Sequence, residues 1–366
     1  MNMILPAICG GCAFISMALK DDGTVLAWGV GMLGNGAKRK SFVPVQVQGL
    51  SQVTAIATRQ ALREDGTVWR WGENRSGDCG DGTNTPIQLI PVQVKDLEGV
   101  KAISACLALR EDGTVWAWGS NCYGQLGNGT SEDRNVPVQV HNLNGITAIS
   151  NGGYIYSLAL REDGTVWVWG KNDCCQLGDG TDNYDNRLVP GQVLGLDDVT
   201  AISAYHHSLA LKKNGTVWAW GSNRCGQLGD GTTVVRNTPV QVQGLSEIID
   251  ISAGAGHSLA LRSDGSVWAW GVNAYGQLGN GMATERDKIT TDYPPNPIPI
   301  QVKNLSGVTA ISAGTQHSLA LTKDGAIWAW GLNRNGELGD GTFVHKPFPV
   351  QTIGVEGKDF LILSTE

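Results

Sequence analysis

The pair Trp-Gly recurs seven times along this chain of 366 residues, at intervals of 43 to 60 residues. Six copies end the pattern Val/Ile-Trp-x-Trp-Gly, as in VWAWG at 217–221, and the first reads VLAWG with Leu26 in place of the outer tryptophan. A period near 50 residues is typical of propellers and solenoids. The sequence therefore predicts seven repeat units, which are centred on Trp28, Trp71, Trp118, Trp169, Trp220, Trp270 and Trp330.

Each unit contains four short apolar segments that we interpret as β-strands. In the sixth unit they are 248–252, 257–261, 266–271 and 297–302, all rich in Val, Ile, Leu or Trp. Asp-Gly or Asn-Gly separates the second and third segments of every unit, and this dipeptide supplies the positive φ angles of a tight hairpin. The pattern predicts an all-β fold, a seven-bladed β-propeller of four-stranded antiparallel blades, built as one domain over 1–366.

Residue types predict where each segment lies in a blade. The VTAIS-type segments are rich in small residues that suit the crowded central channel, and the PVQV segments suit the outer edge. The two tryptophans of VWAWG point to one side of the sheet, so we expect them to fill the wedge between blades. Burying about 150–250 Å² of each ring stabilises by roughly 4–6 kcal/mol at about 25 cal/mol per Å², so the phrase is interpreted as scaffold.

The sequence contains one first-strand segment too many for a closed ring. The segment 3–8 (MILPAI) precedes the first unit and 360–364 (FLILS) follows the seventh, and both resemble VTAIS. Pro6 cannot donate a hydrogen bond to an inner ladder. We therefore predict that Phe360–Leu363 closes the ring beside Ser16–Leu19.

Net charge and hydropathy narrow the choice of partners. The formal net charge is −7 and neither end is basic, which argues against DNA, RNA and anionic membranes. The sequence contains no stretch of 18 apolar residues, so no membrane span is predicted. The N-terminal segment lacks a basic region and continues into the first repeat, so we interpret it as part of the fold. We expect a monomer in the cytoplasm, with a secreted effector as the alternative location.

Three histidines are each followed by serine and resemble a base with its nucleophile: His207, His257 and His317. They recur in the frame of the repeat, whereas a catalytic triad needs one unique and oriented set. We therefore predict no catalytic residue and expect each imidazole to bond the backbone of a neighbouring loop.

The acidic residues and cysteines do not form a metal-site pattern. Cys9 and Cys12 are a single pair, whereas a structural zinc site needs four ligands. The eight cysteines do not recur at one repeat position, which argues against a disulfide framework. Asp179, Asp230 and Asp340 recur in Gly-Asp-Gly turns, and turn formation explains them. We predict no metal and no cofactor.

Four motifs taken together resemble the repeat of the regulator of chromosome condensation (RCC1) family. They are G-x-x-H-S-L-A-L, D-G-T-V-W-x-W-G, N-x-x-G-Q-L-G-D/N-G-T and P-V-Q-V, and they cover almost the whole chain. The resemblance implies a seven-bladed propeller, and the nearly identical units are similar to bacterial members. Members of the family act in nucleotide exchange on a small GTPase, chromatin binding, ultraviolet sensing and β-lactamase inhibition, so function stays open.

Two branches of the family fit this chain poorly. The ultraviolet receptors have tryptophan in a G-W-R-H-T segment, where this chain reads GGYIYS, AYHHS, GAGHS and GTQHS. The chromatin-binding branch uses basic tails and arginines, and this acidic chain has neither a basic tail nor an arginine cluster. A photoreceptor and a chromatin-binding protein are therefore disfavoured.

Two sets of loops vary between the units. Ile56 and Leu62 are 6 positions apart in unit two, compared with 10 for Ile251 and Leu261 in unit six, so the first-to-second loop differs in length. The third-to-fourth loop also varies and is longest at 281–297. Both sets emerge on one face of an up-and-down propeller, which we call the variable face, and the uniform Asp/Asn-Gly turns lie on the opposite, hairpin face.

Variable loops on a rigid body are a common place for recognition. Tyr and Arg are favoured interface anchors. The residues predicted to bind a protein partner on the variable face are Arg59, Tyr123, Tyr154, Tyr156, Tyr184, Tyr205, His206, Arg224, Tyr275, Tyr293 and Arg334. We interpret the chain as a non-enzymatic protein-interaction module. The alternatives are guanine-nucleotide exchange on a small GTPase and inhibition of an enzyme of the β-lactamase type.

Overall fold

The computed structural model describes residues 7–11, 14–181, 183–284, 294–357 and 359–363. These residues form seven antiparallel sheets of four strands each, and the strand order in every sheet follows the chain. First strands of neighbouring blades contact one another around the ring, including those of blades one and seven. The predicted all-β, seven-bladed propeller is therefore confirmed, with the VTAIS-type strands at its centre.

The strands are numbered in chain order, four to a blade. Blade one contains β1 (Ala7–Gly10), β2 (Ile15–Leu19), β3 (Val25–Gly29) and β4 (Ser41–Gln46). Blade two contains β5 (Val53–Ala57), β6 (Gln60–Arg63), β7 (Val68–Glu73) and β8 (Ile87–Gln93). Blade three contains β9 (Val100–Ser104), β10 (Leu107–Arg110), β11 (Val115–Gly119) and β12 (Arg134–Gln139). Blade four contains β13 (Ile146–Gly152), β14 (Tyr156–Arg161), β15 (Val166–Gly170) and β16 (Arg187–Gln192).

The remaining three blades repeat the arrangement. Blade five contains β17 (Val199–Ala204), β18 (His207–Lys212), β19 (Val217–Gly221) and β20 (Arg236–Gln241). Blade six contains β21 (Ile248–Ala253), β22 (His257–Arg262), β23 (Val267–Gly271) and β24 (Ile300–Gln301). Blade seven contains β25 (Val308–Ala313), β26 (His317–Thr322), β27 (Ile327–Gly331) and β28 (Lys346–Gln351). The short β24 falls within the longer strand predicted over 297–302. No helix among the described residues is long and apolar enough to cross a membrane.

The second-to-third hairpins are set by the Asp/Asn-Gly dipeptide. Gly265 has a φ of +80°, which favours glycine, and the Asp264 carboxylate accepts hydrogen bonds from the backbone nitrogen and hydroxyl of Ser266 at 2.9 and 2.6 Å. The same aspartate-to-hydroxyl pairing occurs at Asp112 with Thr114. The sequence thus determines the geometry of the hairpin face locally.

The inner tryptophan of each unit fills the wedge between two blades, as predicted. All seven inner rings are fully buried, and each belongs to a core cluster formed with the preceding blade. Six of them donate their indole N–H to a backbone carbonyl of that blade at 2.8 to 3.0 Å. The outer tryptophans are half-buried, and Arg161 and Lys212 lie over two of these rings.

The three His-Ser pairs join neighbouring blades and are not catalytic sets. The Nε2 atom of His257 lies 3.0 Å from Ser318 Oγ of the next blade, and that hydroxyl donates to the Gln277 carbonyl at 2.9 Å. The imidazole therefore donates to the serine. His207 and His317 repeat the arrangement with Ser258 and Ser16, and all these side chains are fully buried. The structural role predicted for the histidines is confirmed, but the expected backbone partner was wrong, because the partner is a serine hydroxyl.

Ring closure differs from the prediction. The strand β1, not 360–363, pairs with β2, with Gly10 opposite Ser16. Gly10 packs so closely on blade seven that an added Cβ would lie 2.9 Å from the Gly314 nitrogen, so this position requires glycine. The bulky segment Phe360–Leu363 has no residue that fits there. β1 starts after Pro6, so the missing proline donor does not disturb the ladder.

The C-terminal segment instead fills the hairpin-face end of the junction between blades seven and one. Leu363 donates its backbone N–H to the Gly325 carbonyl at 2.9 Å, as Val308 does to Gly265 at 3.3 Å, and its own carbonyl accepts from Asp21 at 3.1 Å. The Leu363 side chain is fully buried in the core cluster of these two blades. Both ends of the described chain therefore contribute to closure.

The inner tryptophans are expected to carry more stability than the outer ones. Trp270→Phe removes a fully buried indole whose N–H bonds the Gln227 carbonyl at 2.8 Å, and we expect a loss of about 2–4 kcal/mol in the free energy of unfolding. Trp268→Phe, at the half-buried outer position of the same strand, is the matched control and should cost about 1 kcal/mol or less. Urea unfolding measures both, and equal losses would contradict this account of the wedge.

The buried histidines should make the fold sensitive to acid. Burial lowers the pKa of His207 and His257 to about 3 and that of His317 to about 4, from 6.5. Between the folded pKa values and 6.5, the unfolded chain binds more protons than the folded protein. The free energy of unfolding is therefore highest above pH 6.5 and falls as the pH drops, by up to about 1.4 kcal/mol per pH unit for each histidine.

Urea unfolding between about pH 7.5 and pH 5 tests this dependence, since this window spans the pKa of an unperturbed histidine. His257→Gln should reduce the slope of stability against pH, because it removes one of three fully buried histidines with lowered pKa values. His141→Gln, at an exposed position, should leave the slope unchanged. A wild-type slope that His257→Gln does not alter would show that this imidazole is not held neutral by the fold.

Candidate functional site: the variable face

The first-to-second loops form the inner ring of the variable face, around the mouth of the channel. Blades two and three turn within two residues, Thr58-Arg59 and Ala105-Cys106, and Arg59 and Cys106 adopt φ angles of +53° and +56°. Blades four, six and seven have three residues between these strands, and blade five has two between longer strands. The inner ring is therefore lowest over blades two and three.

The third-to-fourth loops form the outer ring, and those of blades two to seven share one internal frame built on a buried asparagine. In blade five the buried Asn223 accepts a hydrogen bond from the Leu228 nitrogen at 3.0 Å and donates to the Thr232 and Val234 carbonyls at 3.2 and 2.9 Å. The Gln227 carboxamide oxygen accepts from the Cys225 nitrogen at 2.9 Å. This frame leaves the two positions after the asparagine to vary, so the loops present different side chains from a fixed backbone.

The aspartates of the Gly-Asp-Gly turns belong to this frame. The Asp230 carboxylate accepts from the Thr232 nitrogen at 3.0 Å and from the Thr232 hydroxyl at 2.8 Å, and it pairs with Arg236 at 2.6 Å. Asp179 and Asp340 accept from their threonines in the same way. The predicted turn role is confirmed. No cluster of three or more metal-ligating side chains occurs within the described ranges.

The predicted partner-binding residues fall into three groups by exposure. Tyr184 is 64% exposed, and His206, Arg224 and Arg334 are also exposed. Arg59, Tyr123, Tyr154 and Tyr275 are half-buried. Tyr156 and Tyr205 are buried, and Tyr293 lies outside the described residues. The face available to a partner is therefore narrower than the sequence predicts.

The two buried tyrosines are corrections to the predicted surface. Tyr156 pairs with Gly170 as His207 pairs with Gly221, so it occupies the histidine position of the repeat. Its hydroxyl lies 2.9 Å from Ser208 Oγ of the next blade, and burial raises the pKa of this phenol. Tyr205 is 9% exposed, and its hydroxyl lies 3.1 Å from Thr315 Oγ1 of blade seven. The extra residue in loop four hid the alignment of Tyr156 with the histidines.

The half-buried aromatic residues are held by side chains that the sequence analysis did not select. The Lys171 ammonium lies 4.9 Å from the Tyr123 ring centre, and the His345 ring lies 5.0 Å from that of Tyr275, edge to face. The Arg70 guanidinium lies 5.6 Å from the Tyr154 ring centre. Arg70 had a visible signal, because it is the one charged residue at the middle position of the seven VWxWG-type segments.

These features define a closed seven-bladed propeller with one face whose loops share a backbone frame and differ in their side chains. The model of the regulator of chromosome condensation (RCC1) repeat matches 65–107, 112–159, 163–211, 214–261, 264–321 and 324–361. The chain belongs to this family. Each of the first five matched repeats begins at a second-to-third hairpin and ends in the next blade, so the sequence unit is offset from the structural blade.

Solved structures of the same fold cover most of the chain. Prp20p from Saccharomyces cerevisiae superposes with a TM-score of 0.78 over 90% of this chain and 86% of its own, at 24% sequence identity. Human WBSCR16 superposes with a TM-score of 0.74 over 90% of this chain and 93% of its own, at 22% identity. These likenesses establish the fold.

Curated relatives are similar over part of the chain. The ultraviolet-B receptor UVR8 of Arabidopsis thaliana is 31% identical over 235 residues, which are 62% of this chain and 51% of the receptor. The mouse E3 ubiquitin-protein ligase HERC2 is 29% identical over 224 residues, which are 60% of this chain and 4% of the ligase. The chain thus spans only a fraction of HERC2 and about half of UVR8.

A pair of phenylalanine substitutions tests the corrected position of Tyr156. Tyr156→Phe removes a buried hydroxyl that bonds Ser208, so we expect a loss of about 1 kcal/mol in the free energy of unfolding. Tyr184→Phe, at an exposed position, should change stability by less than about 0.5 kcal/mol. Urea unfolding of both variants measures this, and an unchanged Tyr156→Phe protein would place that hydroxyl in water.

Proposed function

We propose that the protein is a non-enzymatic interaction module that binds a protein partner through the variable face. One observation carries this proposal: the loops of the variable face differ between blades in length and in exposed side chains, while the hairpins of the opposite face are uniform. A rigid body that concentrates its differences on one face is suited to recognition. The frame around each buried asparagine keeps the loops ordered before a partner binds, which lowers the entropic cost of association.

The exposed side chains of this face suit a protein surface. Tyr184, Arg224 and Arg334 combine large contact area with directional hydrogen bonds, and such residues are enriched at binding hot spots. His206 stands beside them on the inner ring and packs edge to face on Tyr205, with ring centres 4.9 Å apart. Because Tyr205 is held by Thr315, His206 is presented from a fixed support.

The related structures support a binding role. The structure of Prp20p was described together with its binding to Gsp1p and histones, and yeast RCC1 was also solved bound to Kap60. We infer that the same architecture serves recognition in this chain, with a partner of its own.

A comparison of the two faces tests the proposal. We expect a variant with alanine at Tyr184, His206, Arg224 and Arg334 to lose its partner by tenfold or more in affinity capture from lysate, since truncating anchor residues costs about 2 kcal/mol or more each. The control has alanine at Glu64, Glu111, Glu162 and Lys213, which are exposed on the hairpin face, and it should retain the partner. Retention by the first variant and loss by the second would reverse the assignment of the faces.

The captured partner also separates the alternative functions. If the partner is a small GTPase, the rate of bound-nucleotide release with and without the propeller is measured, and acceleration would identify an exchange factor. If it is an enzyme, its turnover is measured, and a loss of turnover would identify an inhibitor. The proposed module forms the complex and changes neither rate.

A further inference from the structure

The inner ring of the variable face has an opening over blade two. The first-to-second hairpins of blades two and three end early, and no histidine-serine pair occupies this corner. A cavity of about 150 Å³ lies here, lined by Arg59, Arg70, Trp71, Glu73, Asp78 and Tyr154. The side chains around it come from blades two and four.

Arg70 is a buried cation that forms no direct ion pair among the described residues. It takes the position that alanine occupies in blades three, five, six and seven, and it is only 4% exposed. Its Nη1 atom donates to the Gln60 side chain at 3.2 Å and to the Thr58 carbonyl at 3.4 Å, both neutral acceptors. Within the described residues it joins no ion pair, and its Nε has no acceptor. A buried guanidinium that forms no direct ion pair keeps hydrogen-bonding capacity for an anion, so the site favours one.

A second arginine lines the same cavity. The Arg59 side chain lies across Gly72, and its buried Nε has no acceptor among the described residues. Trp71 also lines the cavity, but its indole nitrogen faces Gly34 of blade one. Two arginines with unpaired Nε–H groups thus line one small space.

We propose that this cavity binds a carboxylate group. The planar guanidinium groups of Arg59 and Arg70 match the two oxygens of a carboxylate, and charge-assisted bonds of this kind are strong. Asp78 and Glu73 also line the cavity and repel anions, and they repel a doubly charged phosphate more than a singly charged carboxylate. The Tyr154 ring, which lies beside Arg70, covers the apolar part of the bound group.

The carboxylate has two chemical sources, a free organic acid and an acidic side chain of a protein partner. The second source rests on the proposed function of the variable face, and the first does not. Sodium acetate represents the free acid. A capped peptide with a single Glu represents the side chain, and the same peptide with Gln in that place is its control.

Titration calorimetry of the whole chain with these probes tests the site. We expect acetate or the Glu peptide to bind, the Gln peptide to bind at least tenfold more weakly than the Glu peptide, and inorganic phosphate to bind more weakly than acetate. Arg59→Ala and Arg70→Ala should each weaken binding by tenfold or more, which is the effect of losing a charged hydrogen bond. Arg75→Ala removes an exposed charge from the same blade outside the cavity and should leave affinity unchanged.

The outcomes are distinct. Acetate binding without tighter peptide binding identifies a free acid as the ligand, and tighter binding of the Glu peptide identifies a partner side chain. If neither carboxylate binds, or phosphate binds more tightly, or Arg59→Ala binds as the wild type does, the site is not a carboxylate site. Arg59→Ala decides the question if Arg70→Ala does not fold. Because no natural partner is used, failure here leaves the capture experiment on the variable face unaffected.

Discussion

One backbone carbonyl in each of blades two to seven organises the junction with the next blade. In blade five it belongs to Gln227, which accepts the Trp270 indole N–H and the Ser258 hydroxyl, both at 2.8 Å. The serine in turn accepts from His207 of blade five. A carbonyl oxygen has two lone pairs, and here the next blade uses both. The buried indole ring contributes most of the apolar surface at the junction, and its hydrogen bond to this carbonyl fixes the orientation of the ring.

The departures from this arrangement are grouped on one side of the ring. In blades four to seven, a histidine or tyrosine side chain hydrogen-bonds a serine of the next blade. At the blade two–three junction the Cys106 thiol takes the place of that serine and bonds the Asp78 carbonyl at 3.8 Å. Gln60 partly replaces the lost connection, because its side chain accepts from the Cys106 nitrogen and donates to the Leu107 carbonyl. The contacts between blades thus depart from the repeat pattern at blades two and three, where the cavity lies.

The sequence predicted what is periodic and failed where periodicity breaks. Seven Asp/Asn-Gly hairpins and thirteen tryptophans specify local turns and one buried face, so blade number, strand order and the wedge followed directly. Ring closure was wrong because two apolar segments compete for one slot, and only the close contact of Gly10 with Gly314 decides between them. Tyr156 was predicted on the surface because an inserted residue in the loop obscured its alignment with the histidines of the other blades. The cavity at Arg70 depends on the first-to-second loops, which are short in blades two and three. The spacing of residues in the sequence does not show which side chains line the space left by these loops.

Six of the seven blade junctions are crossed by the polypeptide, and the seventh is not. There Ser312 accepts the Gly10 nitrogen at 2.8 Å, Ser16 lies against His317, and Leu363 inserts from the hairpin side. These contacts join blades seven and one. The polypeptide also links the other six junctions, so the blade seven–one junction depends on noncovalent contacts alone. The relative positions of the loops on the variable face therefore depend on closure of the ring.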